Sequence, residues 1–252
     1  LMEKYFSEST LSEEEIIGGV KKGILKGDTV PVIAGIGLQN KGVINLMNAI
    51  VKCMPAYSDI KIAKAEKEDG EAADISRDEN APFTAFVFKT IADPFVGKMN
   101  LFRVISGKVT SGSTVYNTNK EKTERIGGVL VLKGKKQETV ESLSAGDIGA
   151  FAKLQFTGTG DTLCDQSLKV KFKPMQFPKP VLSMAAYAVK TGEEDKIFSG
   201  LNRLSEEDIT FNISKNITTN EMLINGMGET HIDVLTKKLK SKFGVEVLLK
   251  TP

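Results

Sequence analysis

Apolar positions change their spacing along this chain, and each change marks a different kind of element. In residues 1–56 they recur every three or four positions. Ser12 precedes Glu15 by three, a reciprocal capping pattern, and Ile16, Ile17 and Val20 follow on one side. Gly27-Asp28 makes a turn, and Val30-Pro31-Val32-Ile33-Ala34 reads as a short buried strand with Pro31 near its start. Gly35-Ile36-Gly37 leads to a helix over 41–54, with Val43, Leu46, Met47, Ile50 and Val51 at helical spacing and Pro55 ending it.

The next stretch, 61–82, is dense in charge and alanine and poor in large apolar residues. It reads as a linker or surface excursion. From 83 to 173 the period falls to two. Phe83, Ala85 and Val87 alternate with Phe86 and Phe88. Further strands are predicted at 101–109, 114–116, 125–132, 140–143 and 148–154, separated by glycine-rich turns. Short strands at close spacing predict a small antiparallel β-barrel. Pro174, Pro178 and Pro180 then stiffen a connector into 174–252. There the pattern gives strand 181–189, helix 193–204, strands 209–213 and 221–225, helix 229–243 and strand 245–249. That order, β-α-β-β-α-β, is a ferredoxin-like α+β domain.

Composition narrows the function classes. Hydrophobic residues make up 40 % of 252, enough for real cores, and no apolar run is long enough to span a membrane as a helix. The start carries no signal-peptide pattern. Cys53 and Cys164 are far apart and the single histidine is His231, so neither a disulfide framework nor a histidine-rich metal site is suggested. A cytoplasmic protein with reduced thiols is the expectation.

Candidate chemistry is sparse. A phosphate-binding loop needs Gly, four residues, Gly, then Lys and Ser or Thr. Gly107 to Gly112 continues Ser113-Thr114, and Gly37 to Gly42 continues Val43, so neither qualifies. Asn119-Lys120-Glu121-Lys122 lacks the Asp of a guanine-reading motif and reads as a hairpin tip. Without such a loop these residues are expected to hydrolyse no nucleotide by themselves.

Charge is the second signal. Between Gly97 and Gln137 there are nine basic residues against Glu121 and Glu124, an excess of seven. Such a barrel suits a phosphate backbone, although a solvated face is the plainer alternative. Gly226-Met227-Gly228-Glu229-Thr230-His231 is the third signal, at a strand-to-helix turn where glycines let another backbone approach closely. The runs Glu193-Glu194-Asp195 and Glu206-Glu207-Asp208 read as helix capping and solvation.

Read together, these stretches resemble a known family. Ala92-Asp93-Pro94-Phe95-Val96-Gly97-Lys98, Phe102-Arg103-Val104, Ser111-Gly112-Ser113, Ala145-Gly146-Asp147-Ile148 and Gly160-Asp161-Thr162-Leu163 resemble the barrel domain of elongation factor G. Leu204 to Asp208, Gly226-Met227-Gly228-Glu229, His231 and Leu239 to Phe243 resemble the domain that follows it. Pro31 to Gly35 and Asn40-Lys41-Gly42-Val43 resemble the end of its P-loop GTPase domain.

The resemblance implies a multi-domain arrangement: an α/β remnant of the GTPase domain at 1–60, a linker at 61–82, barrel domain II at 83–173 and ferredoxin-like domain III at 174–252. It implies a monomeric translational GTPase that uses GTP and Mg, binds small-subunit RNA and protein of the ribosome, and moves tRNA and mRNA. Lys98, Arg103, Lys108 and Arg125 are the candidate RNA contacts. Gly226, Gly228, Glu229 and His231 are candidate interdomain residues, and Gly35, Ile36 and Gly37 a remnant of the guanine-contacting loop. The family reads Gly-Ser-Ala in that loop, so the isoleucine and glycine here imply altered nucleotide affinity and favour a divergent paralogue. The chain opens on Leu and stops at Lys250-Thr251-Pro252, where the family runs on into a tip domain, so a piece of a longer protein is expected. A ribosomal protection protein of the same superfamily, or a non-catalytic RNA-binding module, are the alternative readings.

Overall fold

The structure is a computed structural model that describes residues 2–93, 97–134 and 136–252. Pro94, Phe95 and Val96 of the barrel motif, and Lys135 among the counted cations, lie outside the described residues. The chain divides into two units, Leu1–Lys61 and Ile62–Pro252.

The first unit is helical: α1 (Met2–Glu8), α2 (Glu13–Lys26) and α3 (Val43–Cys53). Ser12 caps α2 as its pattern predicts. The Ser12 hydroxyl accepts from the Glu15 N–H at 3.2 Å, and the Ser12 N–H donates to Glu15 Oε2 at 2.8 Å. Gly27 ends the helix with φ of 81°. The predicted strand at 30–34 is not formed, and Val32 is 92 % exposed. A buried strand needs hydrogen-bonded neighbours on the sheet. Among the described residues of this unit there is no strand for it to join, and Pro31 removes one donor.

The second unit opens with a correction. Residues 61–82, expected as a linker, form the hairpin β1 (Ile62–Lys67) and β2 (Ala72–Ser76). Small alanines let the hairpin lie flat on the protein. Ala63, Ala65 and Ile75 are buried with Val170 and Phe172, and Phe86 and Ile105 pack against them.

The barrel follows: β3 (Thr84–Asp93), β4 (Gly97–Ser106), β5 (Lys108–Thr110), β6 (Thr114–Asn117), β7 (Lys122–Arg125), β8 (Val129–Lys133), β9 (Lys136–Val140), β10 (Ser142–Ser144), β11 (Ile148–Ala152), β12 (Thr162–Cys164) and β13 (Val170–Lys171). Its main sheet runs β7-β6-β12-β3-β4-β11-β8-β9. A second small sheet pairs β10 with β5, and β13 joins β1. The two ends of the main sheet are stitched at one loop. The Gly112 N–H donates to the Ile126 carbonyl at 3.0 Å, and the Ser111 N–H to the Glu141 carbonyl at 3.0 Å. The strand predicted across 125–132 is in fact two, broken at Gly127-Gly128, and β7 and β8 lie far apart in the sheet. Glycine pairs carry no side chains to hold a pleat and release the chain to cross over. Alternation along β3 and β4 fills the interior with Ala85, Val87, Phe102 and Val104, and Phe102 stacks on Phe151 at 3.8 Å between ring centroids.

The last domain is β14 (Leu182–Ala188), α4 (Glu194–Glu207), β15 (Asn212–Lys215), β16 (Met222–Gly226), α5 (Glu229–Phe243) and β17 (Val247–Lys250). The sheet order is β15-β16-β14-β17 with antiparallel neighbours, which is the ferredoxin-like topology. Both helices cover one face and bury Ile197, Leu201, Leu204, Ile232, Leu235 and Leu239 against it. Gly200 lets them approach, because a Cβ there would lie 2.6 Å from Leu239 Cδ1.

Candidate functional site

The hydrogen bonds between the barrel and the α/β domain centre on one backbone residue. Ala92 lies near the end of β3, where that strand pairs with β4 on one side, Ala92 opposite Lys98. On its other side β12 reaches only Thr84 to Phe86. The outward N–H and carbonyl of Ala92 therefore need partners from elsewhere. The α/β domain supplies both. The Ala92 N–H donates to Glu207 Oε2 at 3.2 Å, and Lys242 Nζ donates to the Ala92 carbonyl at 3.0 Å. Lys242 also donates to Glu207 Oε2 at 2.6 Å, and Lys238 to Glu207 Oε1 at 3.0 Å.

Helix geometry explains the convergence. Lys238 and Lys242 are four apart and share one face of α5, while Glu207 ends α4 beside them. The Glu207 side chain is only 13 % exposed. Burial alone would favour its neutral form. The Lys242 and Lys238 ammonium groups and the Ala92 N–H outweigh that and hold its pKa below the ordinary carboxylate value. Lys98 lies alongside, 3.7 Å from Glu206. Sequence reasoning missed this seam. It read Glu206-Glu207-Asp208 as capping and solvation, and only the presence of three adjacent acids at a helix end signalled anything.

The Gly226–His231 turn is tied inside its own domain. The Met227 N–H donates to His231 Nδ1 at 3.1 Å, and His231 Nε2 lies 3.1 Å from Asp208 Oδ2. With Nδ1 accepting, Nε2 carries the proton and donates to the carboxylate. Burial works against the charge of Asp208, but the Thr210 hydroxyl and N–H, with His231, keep its pKa lowered. The imidazole also meets the Phe211 ring edge-on at 6.2 Å. Gly226 is required by packing, since a Cβ would come within 2.9 Å of Ile232 Cγ1. Gly228 is extended, with φ of 162°, and a Cβ added there would meet nothing within 4 Å. Glu229 is exposed in the first turn of α5.

Two comparisons with known proteins bear on this geometry. Residues 82–166 match the family model described as elongation factor G domain 2, and residues 177–251 the one described as Elongation Factor G, domain III. The chain belongs to the elongation factor G-like family. Its fold is also that of a crystal structure of a protein from Thermus thermophilus, with 24 % identity and a TM-score of 0.79. That match covers 100 % of this chain and 35 % of the other, so the chain spans about a third of that protein's length. The barrel and the α/β domain are thus domains II and III of an elongation factor G-like protein, and Ala92, Glu207 and Lys242 sit at the seam between them.

The remaining predicted residues divide by place. Arg103 on β4, Lys108 on β5 and Arg125 on β7 are exposed on domain II. Arg103 lies opposite Phe86 and Ile148 in register, and β7 is at the far end of the sheet from it. Lys98 is drawn into the seam. Glu124, counted against the basic excess, is buried, and its carboxylate accepts from the Gln155, Phe156 and Thr157 N–H groups at 2.6, 3.0 and 3.1 Å and from the Thr157 hydroxyl.

In the first unit, Gly35, Ile36 and Gly37 line a small cleft of about 240 Å³. The loop is closed by Ile36 and Lys41, which exchange backbone hydrogen bonds of 2.9 and 3.2 Å. Among the described residues, Lys41 is the single ionisable side chain lining the cleft. Among the described residues no helix is long and apolar enough to cross a membrane.

Proposed function

We propose that this chain is the ribosome-docking part of an elongation factor G-like translation factor, in which domain II grips small-subunit RNA and domain III carries the nucleotide state onward. In this reading residues 1–60 belong to a GTPase domain that uses GTP and Mg, and the whole protein promotes movement of tRNA and mRNA. The observation that supports it best is the pair of consecutive family domains joined through Ala92, Glu207 and Lys242. The basic surface of the barrel, with Arg103, Lys108 and Arg125 exposed, supplies the charge a phosphate backbone requires.

The test is co-sedimentation with purified ribosomes over a salt series. The unchanged chain is expected to bind, with the logarithm of its affinity falling linearly in log salt. Reversing Arg103, Lys108 and Arg125 to Glu is expected to weaken binding and to flatten the salt slope by roughly one for each phosphate no longer neutralised. Equal binding by the reversed variant would remove the charged-face assignment.

A further inference from the structure

One residue organises the polar contacts of the seam between domains II and III. Glu207 holds three partners through its two oxygens: the Ala92 N–H at 3.2 Å, Lys238 at 3.0 Å and Lys242 at 2.6 Å. Lys242 returns from Glu207 to the Ala92 carbonyl, closing a ring of three residues. Both polar groups of a strand-edge residue in one domain are thus satisfied by side chains of the other. The Glu207–lysine pairs lie within domain III; the one ion pair across the seam among the described residues is Lys98 with Glu206, at 3.7 Å.

We propose that Glu207 is a latch. With its carboxylate bridging Ala92 and the two lysines, domain III is fixed on domain II; without it, domain III swings as an intact body. The reasoning is about alternatives. Each domain has its own core, the barrel around Phe102 and Phe151 and the α/β domain around Leu201 and Leu239, and these cores share no residue. Nothing in either core holds the other domain in place, so orientation rests on the seam. Relative motion is the default for domains unless a large apolar interface joins them, and a directional charge-assisted ring is what can suspend it. Removing the carboxylate leaves Lys238 and Lys242 without a counter-charge and the Ala92 N–H without an acceptor. All three are readily solvated once the domains part, so the seam opens and the domains stay folded.

This goes beyond ribosome docking and is tested without a ribosome, so either proposal can fail alone. Spin labels are placed on exposed positions of the two domains, Lys108→Cys and Asp233→Cys, in a Cys53→Ser background. Their distance distribution is read by pulsed electron resonance, with and without Glu207→Ala. The expected result is a narrow distribution that becomes about twofold broader in the variant, together with about tenfold faster amide exchange at Ala92 and unchanged circular dichroism. A distribution that stays narrow in Glu207→Ala, or is already broad in the unchanged chain, overturns the latch. If Glu207→Ala fails to fold, Lys242→Met breaks the same ring from the other helix and is read in the same way.

Discussion

Lys242 Nζ lies 2.6 Å from Glu207 Oε2 and 3.0 Å from the Ala92 carbonyl, so a single ammonium closes the contact between a helix of domain III and a strand of domain II. That relationship makes the seam sensitive to acid. The Glu207 pKa is lowered from its ordinary 4.5, so the stability it contributes is fully present above that value and is lost as pH falls below it. The groups facing it are Lys238, Lys242 and the Ala92 N–H. Amide exchange at Ala92, measured down a pH series, is expected to accelerate beyond its intrinsic rate once pH drops below about 4.5, and Glu207→Gln is expected to flatten that dependence.

Two glycines of one turn are expected to answer differently to alanine. Gly226→Ala drives a Cβ to within 2.9 Å of Ile232 Cγ1 in the domain III core, an overpacking expected to cost about 1–3 kcal/mol. Gly228→Ala meets open space on an extended backbone and is expected to change stability by less than about 0.5 kcal/mol. Urea unfolding of the two variants separates them.

His231 is expected to hold its proton on Nε2. The Met227 N–H occupies Nδ1 and Asp208 accepts from the other nitrogen, so the tautomer is set from both sides. Nitrogen-15 shifts of the neutral ring should show Nδ1 as the unprotonated nitrogen. His231→Ala removes both bonds and the Phe211 contact, and is expected to lower stability by about 1–3 kcal/mol in denaturant unfolding.

Glu124 is expected to matter to the fold and not to the surface charge. It is buried, and its two oxygens hold the Gln155–Thr157 loop through three N–H groups. Glu124→Gln turns an amide donor toward those donors, with an expected loss of about 3 kcal/mol. Thermal unfolding followed by near-ultraviolet circular dichroism would record it.

Lys98 is expected to part company with the other candidate cations. It is paired to Glu206 at the seam, whereas Lys108 is exposed on the barrel. Lys98→Ala should leave the salt dependence of ribosome co-sedimentation nearly unchanged, and Lys108→Glu should weaken binding.

Periodicity determined much of this protein. The Ser12 cap, the alternation of Phe83, Ala85 and Val87, and the β-α-β-β-α-β order of the last domain are local patterns, and local patterns are written in consecutive residues. Tertiary structure alone decided the rest. Residues 61–82 became a hairpin because Val170 and Phe172, roughly a hundred positions on, gave its alanines a surface to cover. The stretch 30–34 stayed irregular where no neighbouring strand met it among the described residues. Glu207, polar and at a helix end, carried no periodic signal at all. Its role came from the open edge at Ala92 and from two lysines one helical turn apart, partners that only folding brings within hydrogen-bond reach.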